Sequence, residues 1–345
     1  VSAADTEDTA DPAEPSGTAG TGGPAKAAGA VDVAGTGGDG TGTGTAAGPA
    51  SGGPAERRAR RRGGPGAAPL RYRIITMSLL TVAALYFLVP VYWLMVSATK
   101  NSSDLFGTFG FWFANPRPLE YLGDLLTYDD GIYLRWFANS VLYAGVGAAL
   151  ATLLSAAAGY ALAKFDFRGR ETVFNVVLAG VLIPGTALAL PLYLMFSEVG
   201  MANTYWAVLV PSVVSPFGVY LCRIYAVASV PDSLLEAARI DGAGELTIFR
   251  VLVIRLMSPA LITVFLFQFV HIWNNFFLPL VMLSNSDLYP ITLGLTSWQG
   301  YADRQPLLYQ LTVGGAFVSV IPLMILMVVL QRFWRTGLTE GSIKS

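Results

Sequence analysis

The sequence is poor in cysteine, histidine, lysine and charge. A single cysteine, Cys222, excludes an intrachain disulfide, so cysteine usage does not reveal the redox compartment. A single histidine, His271, excludes a His-rich metal site within this chain. None of the four lysines (Lys26, Lys100, Lys164, Lys344) follows a glycine, which excludes the phosphate-cradling pattern G-x-x-x-x-G-K-[ST]. No other nucleotide site stands out, so energised work by this chain would draw on a partner. Charged residues make up 13% of the 345, where a soluble domain carries about 25%. Hydrophobic residues make up 53%, and the mean hydropathy is +0.53. Residues 1–68 are themselves hydrophilic, so the rest is more apolar than these averages. The composition is that of an integral membrane protein.

Residues 1–68 are Gly, Ala, Thr and Pro with scattered acids, as in "GTGGDGTGTGTAAGPASGGPA". Such a segment buries too little apolar surface to offset its ordering entropy, and disorder is expected. It ends in "ERRARRR", Glu56 to Arg62. A basic run of this kind can meet nucleic acid, but ahead of a first span it reads as a cytoplasmic anchor for anionic lipid. The long hydrophilic tail and the lack of a clean small-residue cleavage site argue against a signal peptide.

Six apolar stretches follow, each near the 20 or so residues a bilayer demands: roughly 74–97, 139–162, 173–196, 204–226, 259–283 and 309–331. Prolines inside them (Pro90, Pro184, Pro191, Pro211, Pro216, Pro322) are tolerated where neighbours satisfy the freed backbone. Placing the N-terminus inside puts seventeen positive charges on the inner segments. Only Lys100, Arg117, Arg135 and Arg304 then lie on the outer ones. That asymmetry predicts both termini inside. The expected organisation is a tail over 1–68, a six-helix domain over 69–335 and a cytoplasmic end over 336–345. Segments 98–138 and 284–308 are outer loops, and no inverted internal repeat is visible.

One inner segment, "PDSLLEAARIDGAGELTIFR" (231–250), carries six charges between nearly uncharged runs. Ser233 and Glu236 have capping-box spacing. Leu234, Leu235, Ala237, Ala238 and Ile240 give a short helix with an apolar face. Gly242 is its expected stop, and Glu245 favours the start of a second helix leading to Pro259. On physics alone, this rigid knob under the bilayer is either a docking element for a partner or an interfacial amphipathic helix with none.

"EAARIDGAG" resembles the EAA loop of the membrane subunits of binding-protein-dependent ABC importers. The likeness extends over most of residues 70–345. "NSVLYAGVGAALATLLSAAAGYALAKFDFRGR", "LIPGTALALPLYLMFSEVGMANTYWAVLVP", "HIWNNFFLPLVML" and "GLTEGSIKS" resemble the carbohydrate, maltose-type branch, in family order. The resemblance implies an all-α integral membrane protein with six transmembrane helices and the type I ABC importer permease fold. Residues 231–258 would form its coupling loop. Glu236, Ala237, Ala238, Asp241, Gly242 and Ala243 match the coupling motif position by position and would seat in a groove of a cytoplasmic ATPase. That ATPase pair, and not this chain, would bind ATP and Mg; no cofactor is expected here. A second homologous permease chain in a heterodimer and an outer sugar-binding protein would complete the assembly, in a bacterial inner membrane and without nucleic acid. The family's usual proline before Pro259 is replaced by Arg255, which lets the second helix of the loop continue. The closing "GLTEGSIKS" would reach along the ATPase pair.

Polar residues inside a span are functional candidates. The fifth holds Gln268, His271, Asn274 and Asn275, with Trp273 between them. His271, Asn274 and Asn275 lie three and four apart, hence on one helical face. A polar stripe beside aromatic rings suits a sugar, and suits hydrogen bonding between helices equally well. Tyr193, Trp206 and Tyr220 read as packing or interface anchors. The composite reading is a non-enzymatic half of a sugar-import path. The alternative, a stand-alone secondary transporter, would want an intramembrane carboxylate or lysine, and no span offers one. A third, a membrane anchor without transport, would need neither the knob nor the polar face.

Overall fold

The computed structural model describes residues 70–340, and among these every regular element is a helix. The expected tail 1–68 with its basic run, and residues 341–345, lie outside the described residues. Four helical stretches are long and apolar enough to cross a membrane: Leu70–Ser97, Pro118–Lys164, Tyr205–Ser229 and Pro306–Gln331. Two bent pairs bring the number to six: Arg170–Val181 with Gly185–Glu198, at 102°, and Glu245–Leu256 with Ser258–Trp273, at 81°.

Two expectations need correction. The third span, 173–196, is not one helix. Pro184 has no N–H to donate and disfavours the helical conformation at Ile183, so the chain turns there and restarts at Gly185. The fifth, 259–283, ends its main helix at Trp273 and resumes as the short Phe277–Met282. The last helix runs from Pro306 to Glu340.

The organising element is the helix Ile132–Lys164, 33 residues and so about 50 Å long. Three buried clusters are strung along it. At its start, Tyr133 and Trp136 pack with Leu125, Ile291, Trp298 and Leu311. In its middle, Tyr143, Ala144 and Ala148 meet Phe196, Val208, Ile272 and Trp273. Near its end, Ala156 and Tyr160 join Cys222, Ala226, Leu235, Ile248, Val253 and Met257. Small buried residues at Ala148, Ala151, Ser155 and Gly159 let the neighbouring helix Pro216–Ser229 approach closely. At Gly159 the approach is backbone to backbone: an added Cβ would lie 2.7 Å from the Arg223 nitrogen.

Tyr205–Ser229 is itself broken between its halves Tyr205–Ser212 and Pro216–Ser229. Pro216 offers no N–H to the Ser212 carbonyl, its helical acceptor four residues back. Gln268, from the helix Ser258–Trp273, supplies the missing donor: its Nε2 reaches the Ser212 oxygen at 3.0 Å. The Ser215 hydroxyl donates to Gln268 Oε1 at 3.1 Å and accepts from the Gly218 N–H at 3.2 Å. A side chain from one helix thus completes the backbone of another.

Candidate functional site

The charged segment folds as the expected helix–glycine–helix knob. Its first helix is Asp232–Ile240, and Gly242 follows at φ +83°, where only glycine sits without strain. The capping box does not form. Helix growth starts at Asp232 with Pro231 as its cap, so Ser233 already lies inside the first turn and Glu236 is not three residues from the cap. The Asp232 carboxylate instead pairs with Lys164 at 2.8 Å, joining the knob to the end of the long helix.

The second helix runs from Glu245 through Arg255 to Leu256, as the absence of the proline allows. Its middle, Phe249–Val253, is a π turn. Arg239 Nε to Glu245 Oε1, at 2.7 Å, closes the corner between the two helices. The Tyr160 ring packs on Phe165 and Phe249 beneath that corner, and its buried hydroxyl has no hydrogen-bond partner among the described residues.

The knob sorts its apolar residues into two sets. Leu235 and Ile248 are buried, with Ala238 and Ala243 packed against the same cluster. Glu236, Ala237, Asp241 and Gly242 are exposed. So are Ile240 and Leu246, at 86% and 70%. From the sequence Ile240 counts only as part of the first helix's apolar face and Leu246 has no assigned role, since hydrophobic spacing says nothing about which partner a residue faces. Together the six exposed residues give a surface of mixed apolar and acidic character on a rigid support.

A second tie lies beside the knob. Arg223 bonds to Glu171 and stacks over the Phe174 ring at 3.8 Å, and Phe174 stacks on Tyr220. The Arg223 hydrogen bond holds the Glu171 carboxyl below its ordinary pKa. This joins Arg170–Val181 to Pro216–Ser229, and gives Tyr220 the packing role expected of it.

The expected polar stripe is not one face. The helix ends at Trp273, and the Asn274 amide donates to the Val270 carbonyl at 2.9 Å. Asn275 turns away to accept from the Leu278 N–H at 3.3 Å, starting the next short helix. Trp273 is buried, between Phe137 and Phe269, and offers no free face. His271 and Asn274 remain exposed.

The long helix carries a further polar set that hydropathy concealed. Trp136 Nε1, Asn139 Nδ2 and the Tyr143 hydroxyl donate to carbonyls of residues 286–289, and Ser140 Oγ accepts from the Ile291 N–H. They fix the connection 284–290 to the end of the bundle away from the knob. Beside them lies an open depression of about 840 Å³, lined by Asp130, Arg135, Asn139 and Tyr205 among others.

Broken helices of membrane-crossing length, with a rigid charged knob at one end of the bundle, place the chain among polytopic membrane proteins. A family model described as the binding-protein-dependent transport system inner membrane component matches residues 151–336, and the chain belongs to that family. It is therefore a permease subunit and not an enzyme; in this family the ATPase is a separate chain.

The arabinooligosaccharides transport system permease protein AraQ of Bacillus subtilis is 30% identical over 275 residues, 79% of this chain and 96% of that protein. Its counterpart from Halalkalibacterium halodurans is 38% identical over 217 residues, 63% of this chain and 76% of that protein. A bacterial ABC transporter involved in the import of the acidic polysaccharide alginate has a chain of the same fold. Its TM-score is 0.66 at 22% identity, covering 76% of this chain and 95% of that one.

Proposed function

We propose that this chain forms half of the translocation path for a sugar or oligosaccharide, with both termini cytoplasmic. In this reading it pairs with a second homologous permease, receives cargo from an extracytoplasmic binding protein and docks an ATPase pair through residues 236–243. The observation that carries the reading is the knob. Glu236, Ile240, Asp241 and Gly242 are exposed while Leu235, Ala238 and Ala243 share a core with the end of the long helix. Force applied to the exposed set reaches the spans through packed side chains, because close-packed interiors transmit displacement. The oligosaccharide cargo follows from the relatives. The depression at the other end is the candidate landing surface for the binding protein.

The test replaces Glu236 and Gly242 together with alanine and measures uptake and ATP hydrolysis in vesicles holding the complete complex. The expected result is an inserted chain with uptake lost, and hydrolysis either detached from it or reduced. Undiminished uptake would sink the coupling role.

A further inference from the structure

The first span is followed by a segment, residues 105–116, that carries no charge and five aromatic rings: Phe106, Phe109, Phe111, Trp112 and Phe113. All five are exposed, Phe109 at 73% and Trp112 at 68%. They are not on a slack loop. Lys100, 1% exposed, donates from Nζ to the Thr108 hydroxyl at 3.0 Å and the Phe109 carbonyl at 2.8 Å. The Tyr92 hydroxyl donates to the Phe111 carbonyl at 3.0 Å, and Gly110 lies against the Trp93 ring. On the other side, Ser102 bonds to Gln310 and to the Pro306 carbonyl, and the Phe106 ring packs on Tyr309. The backbone is clamped between the first and last spans while the other aromatic side chains are left open.

Where the clamp holds the segment decides what it meets. The helix Leu70–Ser97 has 28 residues, about 42 Å at 1.5 Å each. The hydrocarbon core is about 30 Å, so a centred helix projects roughly 6 Å beyond it at either end. Tyr92 lies five residues before Ser97, roughly 7–8 Å back along the axis. The segment is thereby folded back to the boundary between acyl chains and headgroups. Aromatic side chains are enriched at that depth. The patch is also continuous with the first helix, whose Leu85, Tyr86 and Phe87 are exposed and which no other described element covers over most of its length.

We propose that residues 106–113 form an aromatic anchor in the lipid interface at the Ser97 end of the first span, held at that depth by Lys100 and Tyr92. The bound partner is the lipid itself. Lys100, buried with its ammonium on the Thr108 hydroxyl and the Phe109 carbonyl, closes the turn that aims the rings outward.

The experiment uses the whole complex in vesicles of phosphatidylethanolamine and phosphatidylglycerol, with Cys222 replaced by alanine. Single cysteines at Phe109, Trp112 and, as the aqueous reference, Glu120 carry a spin label. Collision with oxygen and with a water-soluble nickel chelate is then read at each. The expected ratio of oxygen to nickel accessibility is severalfold higher at 109 and 112 than at 120. Lys100→Met should lower the ratio at 112 towards the reference. Nickel accessibility at 109 and 112 equal to that at 120 would overturn the proposal. So would shielding from both reagents, which would mean a protein covers the patch. An unchanged ratio in Lys100→Met would remove Lys100 from it.

Discussion

Two glycines and one glutamine carry consequences out of proportion to their size. At Gly159, a methyl group would lie 2.5 Å from the Cys222 Cβ and 2.7 Å from a backbone nitrogen that cannot step aside. Gly159→Ala should destabilise by about 1–3 kcal/mol, seen as a lower thermal midpoint of the detergent-solubilised complex. Gly242 is the opposite case: nothing lies within 4 Å of the added carbon, and only its φ of +83° resists a side chain. Its alanine variant should therefore cost about 1–2 kcal/mol, the strain of a left-handed conformation at one corner, with no clash added to it, while affecting coupling. Gln268→Leu keeps most of the volume but strands the Ser212 carbonyl, at a cost of about 1–3 kcal/mol for an unmet buried group. A lowered midpoint together with slower uptake is the expected outcome, and an unchanged midpoint in Gln268→Leu would argue against the need for its amide donor.

Among the elements, the knob is the most legible in the sequence, and its details show where legibility stops. Charge, a glycine stop and a following acid fixed two helices and a corner. At the start, Ser233 and Glu236 have the right spacing, but the helix begins at Asp232, which puts Ser233 inside the first turn and not at the cap. Ile240 was read as part of the apolar face, although it points outward at 86% exposure. Hydrophobic spacing marks a residue as apolar without naming what it will touch. Ile240→Asp should therefore release the ATPase from the purified complex without altering insertion; co-purification of the ATPase at full yield would contradict this.

The neighbouring Arg223–Glu171 tie has a sign that can be checked. Arg223 depresses the Glu171 pKa, so its contribution is present above the ordinary carboxylate pKa and is lost as pH falls through the depressed value. The thermal-midpoint difference between the natural chain and Glu171→Gln should shrink on acidification through that range.

At the scale of the whole molecule, six apolar runs were readable because each is near a bilayer's thickness, while the bends within them were not. Pro184 and Pro216 both looked tolerable inside spans, but one turns the chain by 102° and the other is bridged by Gln268. Only the three-dimensional neighbour distinguishes these fates. The fifth span misled similarly. His271 and Asn274 stay open, whereas Trp273 and Asn275 are committed to core and cap. In a Cys222→Ala background, cysteines at 271 and 274 should react with a water-soluble thiol reagent, and one at 273 should not. Equal reactivity at all three would reject this division.

The break at 213–215 also bears on movement. An intact helix resists bending because its ladder of backbone bonds must stretch. Here the rung at Ser212 has already been given up to a side amide on a flexible stem. Tilting one half against the other asks only that the Gln268 rotamer follow, so this span contains a pivot whose swing severs no main-chain bond.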